Sequence, residues 1–257
     1  MVLTVGGVTP HTPQTLADIV TETPAAARVL DGFGLDYCCR GDRTLDAACT
    51  EAGIATEVVE GKLADLEPGV DIGWTTLTPP ALADHIVETH HRYLHDELPL
   101  LDALAARVLA AHGERHPQLA RVRRLVAALR ADLEPHLLKE ERVLFPAIHA
   151  LAGGRTEFPF GSVANPIRMM MLEHDQAGEL LADLRVSSGG YTVPADGCTS
   201  YRSLYDRLAA LEEDTHVHIH KENHVLFPDA LALAEPDDQP LTSPAPERAR
   251  LLRPRPS

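Results

Sequence analysis

The strongest constraint in this 257-residue chain is an internal repeat. The segment HLLKEERVLFPAI starts at His136 and HIHKENHVLFPDA starts at His218. These histidines are 82 positions apart, as are Lys139 and Lys221, Glu140 and Glu222, Phe145 and Phe227, and Pro146 and Pro228. Upstream, His91 in ETHHRYLHDEL and His174 in MLEHDQAGEL are 83 apart. Each half thus reads His, then His-x-x-x-Glu 44 or 45 residues later. The repeat predicts one helical hairpin used twice, stacked on itself to bury a common core.

The apolar spacing predicts helices at about 80–112, 117–152, 165–187 and 198–234, with breakers at Gly113 to Pro117, Gly153 to Pro166 and Ser187 to Gly197. Four long amphipathic segments pack most economically as an antiparallel four-helix bundle. Steps of three and four residues keep one helix face. In the second helix that face carries Val122, Val126, Leu129, Leu133, His136, Glu140 and Leu144. In the fourth it carries Leu204, Leu208, Leu211, Thr215, His218, Glu222 and Leu226. His91 continues Val87, Leu94, Leu98 and Leu101, and His174 continues Ile167, Met171, Gly178 and Leu181. The four histidines and two glutamates are therefore expected in the core.

One buried histidine is most simply a hydrogen-bonded core residue. Six such groups are another matter, because each buried polar group without a partner costs several kcal/mol. They need a strong common partner. Residues at i and i+4 sit about 6 Å apart along a helix, so a His and a Glu of one pair can bind the same centre. Six ligands are too many for one tetrahedral zinc with an open position. They suit two metals, each with two terminal histidines and both glutamates bridging. The mixed nitrogen and oxygen donors suit iron, and also manganese or zinc.

Composition narrows the function classes. With 23 Lys+Arg against 38 Asp+Glu the formal charge is -15, which argues against phosphate-mediated nucleic-acid binding. No apolar run approaches the roughly 20 residues of a membrane span, so no membrane partner is expected. The N-terminal stretch MVLTVGGVTPHTP does not read as a secretory signal, and the expected compartment is the cytoplasm. Four cysteines make no disulfide framework, and reduced thiols are the default. Thirteen of the 14 histidines fall between His85 and His224, which concentrates the chemistry in the bundle.

Ahead of the bundle, residues 14–66 show short helical periods broken by Gly32, Gly34, Gly41 and Gly53, which predicts a module of three or four helices. Thr23 is the expected cap of a helix starting near Pro24. Residues 67–79, rich in Pro and Gly, read as a linker. The bundle is expected over 80–234, and the Pro-rich tail 235–257 reads as disordered. Residues 1–13 read as frayed.

These residues resemble the hemerythrin-like fold and, more narrowly, the repair-of-iron-centres family of di-iron proteins. The resemblance runs from about residue 14 to 234. It rests on His91, on His136 to Glu140 with Val-Leu-Phe-Pro following, on Glu173-His174-Asp175, and on His218 to Glu222 with the same Val-Leu-Phe-Pro. It rests also on Leu35-Asp36-Tyr37-Cys38-Cys39-Arg40-Gly41 in the N-terminal module, where Arg40 stands in place of the family's glycine. The resemblance implies an all-α, hemerythrin-like bundle with two oxo- or hydroxo-bridged non-haem irons. Its expected ligands are His91, His136, Glu140, His174, His218 and Glu222. It implies repair of iron–sulfur clusters damaged by nitrosative or oxidative stress, with damaged iron–sulfur proteins as partners. Nitric oxide, dioxygen or peroxide are the expected small ligands. The alternative is an oxygen- or nitric-oxide-binding sensor. A ferritin-type ferroxidase fits less well, because ferritin-like sites use Glu-x-x-His and more carboxylates. The sequence leaves the oligomeric state, a homodimer included, and any catalytic turnover open.

Cys38 and Cys39 are candidate thiols for transfer or docking. They are expected as an accessible pair in a Gly-flanked turn, with Arg40 favouring the thiolate. His90, His95, His216, His220 and His224 are expected outside the metal-binding set, as are Glu141 and Asn223, which occupy equivalent repeat positions. Glu173 is expected as a solvated carboxylate.

Overall fold

The computed structural model describes residues 14–66 and 73–234. The frayed start and disordered tail expected from composition lie outside the described residues, as do residues 67–72 of the expected linker. Four short helices come first: α1 (Leu16–Glu22), α2 (Ala26–Phe33), α3 (Leu45–Ala52) and α4 (Thr56–Ala64). Thr15 caps α1 in a capping box with Asp18, and Thr44 caps α3. Thr23 closes α1 rather than opening α2. The Thr23 and Pro24 carbonyls accept from the Ala26 and Ala27 amides, forming a turn that leads into α2.

The bundle has four arms. The first joins α5 (Pro79–Ile86) to α6 (Arg92–His112) through a π turn at Val87–His91. The second joins α7 (Leu119–Lys139) to α8 (Phe145–Ala152) through a π turn at Glu140–Leu144. The third is α9 (Ala164–Ser187), uninterrupted, with Pro166 in its first turn where its missing N–H costs nothing. The fourth joins α10 (Thr199–Lys221) to α11 (Phe227–Ala234) through a π turn at Glu222–Leu226. Helix α6 packs along α7, α7 along α9, and α10 along α6. Short connections make successive arms antiparallel, as the hairpin repeat predicts. None of the helices among the described residues is long and apolar enough to cross a membrane.

The apolar interior falls into two clusters. One holds Leu94, Leu98, Leu129, Leu133, Leu137, Ala177, Leu181, Leu208 and Leu211, and it continues into the N-terminal module through Leu16, Val20, Leu30, Leu35 and Tyr37. The other holds Leu82, Ile86, Leu144, Phe145, Ile167, Met170, Leu226 and Phe227. Along every arm the expected metal-binding side chains fall between the two. His91 lies between Ile86 and Leu94, and His174 between Met170 and Ala177. His136 and Glu140 lie between Leu133 and Leu144, and His218 and Glu222 between Leu211 and Leu226. The bundle therefore carries one polar layer closed by apolar side chains above and below.

Two further expectations change. Met171 is 44% exposed and Met170 takes the core position, because steps of three and four residues both stay on one face and packing chose the former. Within the stretch read as linker, Gly73–Thr76 forms a 3-10 turn whose Trp74 is buried in the second cluster. The Trp74 ring meets His220 edge-on and lies under the Lys221 ammonium, at 5.4 Å.

Candidate metal centre

Two of the three π turns run directly into the Phe-Pro of a Val-Leu-Phe-Pro segment. In Val-Leu-Phe-Pro the proline has no N–H, so the α-helical ladder loses a donor there. The Phe145 amide bonds to the Glu140 carbonyl, and the Phe227 amide to the Glu222 carbonyl, each reaching back five residues. The wider turn begins at the glutamate itself in both halves. The third π turn ends on His91, where the Arg92 amide reaches the Val87 carbonyl without any proline nearby. Such turns recur at functional sites.

The six side chains meet in two overlapping quartets. His91, His218, Glu140 and Glu222 offer ligand atoms within 4.8 Å of one another, and so do His136, His174, Glu140 and Glu222. All six are at most 2% exposed. The His91 and His218 Nε2 atoms are 3.3 Å apart, and those of His136 and His174 are 3.2 Å apart. Glu140 lies 3.5 Å from His91 Nε2 and 3.3 Å from His136 Nε2, reaching into both quartets. Glu222 does likewise, 3.1 Å from both His218 and His174.

Surrounding groups set the histidine tautomers. His91 Nδ1–H donates to Glu141 at 3.0 Å, His136 Nδ1–H to Glu173 at 2.9 Å, and His174 Nδ1–H to the Asn223 side-chain oxygen at 2.8 Å. Each bond leaves an Nε2 lone pair aimed at the centre. His218 is instead stacked on His90, with ring centroids 5.4 Å apart and planes 5° apart. Burial pushes His91 down to about 2, with His218 alongside, and His136 down to about 4, next to His174. Burial, with Glu222 beside it, pushes Glu140 well above the usual carboxylate range. Burial acts on Glu222 too, but His218 beside it and the hydrogen bond that His218 Nε2–H donates hold it low.

This donor set fits a pair of metal ions. Neither oxygen of Glu140 has a hydrogen-bond partner. Imidazole Nε2 atoms face one another and the carboxylates in a layer closed by apolar side chains above and below. Cations between them offset that arrangement. Nitrogen and carboxylate donors in this ratio suit non-haem iron.

The six side chains lie in the core as their spacing predicts, and their neighbours do more than it suggests. Glu173 is no solvated carboxylate; it bonds His136 and pairs with Lys139. Glu141 also accepts from His95 at 2.9 Å. Glu141 and Asn223 are 82 apart and each orients the upstream histidine, so the repeat held a signal for this task. The flanking histidines of the fourth arm fasten the N-terminal module. His216 donates to Asp31 at 2.7 Å, His220 meets the Thr21 hydroxyl at 3.1 Å, and His224 donates to the Cys38 carbonyl at 2.9 Å.

The Cys38–Cys39 turn is not a free surface loop. Cys38 is 3% exposed and Cys39 half-buried, with Cys39 Sγ 3.5 Å from the His174 carbonyl. Asn223 bridges the two modules, because its amide N–H donates to the Cys38 carbonyl at 3.1 Å while its oxygen holds His174. Arg40 turns away to pair with Glu51 at 3.1 Å and does not favour a thiolate. The neighbouring Cys39 thiol, then burial, push the Cys38 thiol up.

Comparison with known proteins agrees with this geometry. Residues 82–230 match the family described as Hemerythrin HHE cation binding domain, and residues 12–67 match a Domain of Unknown function (DUF542). The chain is 33% identical over 220 residues to the iron-sulfur cluster repair protein YtfE of Enterobacter sp. (strain 638), covering 85% of this chain and 97% of that protein. It is 32% identical, with the same coverage, to the proteins of that name from Escherichia coli O8 (strain IAI1) and Shigella boydii serotype 4 (strain Sb227). With its bundle built around two His/Glu quartets and both segments matched, the chain belongs to the hemerythrin HHE family of di-iron proteins, in the branch that carries the N-terminal double-cysteine module.

Proposed function

We propose that this protein repairs iron–sulfur clusters damaged by nitrosative or oxidative stress, using a di-iron centre in the bundle and the Cys38–Cys39 module for transfer or docking. The observation that carries the reading is the sharing of Glu140 and Glu222 by both quartets. It supports His91 and His218 as terminal ligands of one iron and His136 and His174 of the other, with both glutamates bridging. Bound there, a pair of irons supplies redox change and an open position for nitric oxide, dioxygen or peroxide.

The protein's part is to hold and shield the centre. Glu141, Glu173 and Asn223 fix the tautomer of three imidazoles and hold their Nε2 atoms aimed inward. The two apolar clusters exclude water above and below. A cavity of about 140 Å³ lined by Leu133, Pro135, Lys139, Glu173 and Gln176 reaches His136 from solvent, giving a small ligand a route in. Damaged iron–sulfur proteins are the partners in this reading, and the cytoplasm, where thiols stay reduced, is its setting. The relatives' names favour repair over the sensor alternative.

The test adds purified, iron-loaded protein to a cluster enzyme inactivated by nitric oxide and follows recovered activity. Recovery is expected with wild type and not with Glu222→Gln. The Cys38→Ser/Cys39→Ser variant is expected to keep its iron and lose repair. Equal recovery with the same amount of free ferrous iron would overturn the reading.

A further inference from the structure

Outside the bundle, one other group of side chains among the described residues has metal-binding geometry: Asp36, Cys38 and Cys39, whose ligand atoms lie within 4.8 Å of one another. We propose that these three form a mononuclear site for a thiophilic divalent cation such as Zn²⁺, separate from the bundle centre. The inference deepens the role proposed above for the two thiols and rests on that reading.

The sulfur spacing is the first argument. Cys38 Sγ and Cys39 Sγ are 3.7 Å apart. Two thiolates on one tetrahedral zinc, with Zn–S of about 2.3 Å, stand about 3.8 Å apart. The pair already has the bite of a chelate.

The turn that presents the sulfurs is braced. One Asp36 oxygen accepts from three successive amides, those of Cys38 at 3.1 Å, Cys39 at 2.9 Å and Arg40 at 3.3 Å. The other Asp36 oxygen takes part in no hydrogen bond among the described residues. In α9, Gly178 makes room, because a Cβ there would stand 3.3 Å from Cys39 Sγ.

The setting attracts a cation. The sulfurs line a cleft of about 640 Å³ between the N-terminal module and helices α9 and α10. Its other charges are mostly paired: Asp31 with His216, Arg185 with Glu212, and Arg40 with Glu51 outside the cleft. Asp36, Asp175 and Glu179 have no ion pair among the described residues, which leaves the cleft negative. Binding exchanges two S–H bonds for two S–metal bonds and releases two protons to solvent, with no change of redox state. The position facing the cleft stays open to an outside ligand.

The site touches the bundle through His174. Cys39 lies against its carbonyl, and Asn223 ties its imidazole to the Cys38 backbone. The two sites are neighbours, and zinc must be shown not to have entered the bundle.

The experiment uses the full chain, iron-loaded and kept anaerobic, with Zn²⁺ added and excess removed by desalting. Wild type is expected to retain one zinc per chain with its iron count unchanged, and to release about two protons per zinc in calorimetry. Co²⁺ in place of zinc is expected to give thiolate-to-cobalt charge-transfer absorption. Cys38→Ser/Cys39→Ser should lose the zinc and the absorption while keeping iron and helical content. Asp36→Asn should weaken zinc binding roughly 10- to 100-fold. Zinc retained equally by the double variant, cobalt without thiolate absorption, or zinc gained only as iron is lost would each overturn the proposal. Iron and zinc are counted separately, so failure of the bundle centre and failure of this site are distinguishable.

Discussion

Replacing Glu140 by glutamine is expected to move stability and metal content in opposite directions. Glu140 has no exposed surface, and neither of its oxygens accepts a hydrogen bond. Its nearest polar neighbours are His136 Nε2 at 3.3 Å and His91 Nε2 at 3.5 Å, with the Glu222 carboxylate alongside. In metal-free protein this is a buried acid with nothing to satisfy it, at a cost of about 1–3 kcal/mol. Glutamine keeps the size, cannot ionise and offers N–H donors to Glu222 and to the imidazole lone pairs. The apo variant should recover much of that cost. At about 2–4 °C per kcal/mol for a chain of this size, apo Tm should rise by roughly 2–12 °C. Iron binding should fall toward zero rather than to one per chain, because Glu140 belongs to both quartets. The stabilisation that metal gives wild type, about 4 kcal/mol at a thousandfold excess over Kd, should then vanish. Calorimetric melting of apo and iron-loaded samples, with elemental iron per chain, reads all of this. A variant that keeps two irons, or keeps one, refutes the shared carboxylate. An apo Tm below wild type refutes the unsatisfied acid.

His91→Ala should be milder, losing no more than one iron per chain, because the His136–His174 quartet is untouched; elemental iron and the visible spectrum check this. Acidification should destabilise the apo protein. Burial lowers His90 and His136 to about 4 and His220 to about 3 from 6.5, so the unfolded chain binds more protons between those values. Stability is full above pH 6.5 and is lost as pH falls toward 4, by on the order of 1.4 kcal/mol per pH unit for each histidine, read by urea unfolding across pH. Gly41→Ala should loosen the N-terminal module, because its Cβ would stand 2.2 Å from the Tyr37 carbonyl oxygen and 2.7 Å from His224 Nε2. A cost of about 1–3 kcal/mol is expected, seen as faster amide exchange across residues 14–66 with iron content unchanged.

The sequence by itself determined the bundle and its six polar core residues. Helical pitch converts spacing into facing, and a second copy 82 residues on turns a weak pattern into a strong one. Spacing could not choose between Met170 and Met171, because both fall within the angular width of a buried face. It could not show which histidines meet. Each quartet draws one histidine from each half of the repeat, His91 with His218 and His136 with His174, because α6 packs against α10 and α7 against α9. That pairing belongs to the order of helices around the bundle, and order is a property of tertiary packing. The proline of Val-Leu-Phe-Pro foreshadowed two π turns, while the one ending at His91 had no local signal. The same holds for the thiols. Their turn was legible as a motif, but only the docking of the N-terminal module on α9, α10 and the turn after them puts Cys39 against His174 and Cys38 under Asn223 and His224. Those contacts join residues 135 or more positions apart, and no local rule of chain geometry reaches that far.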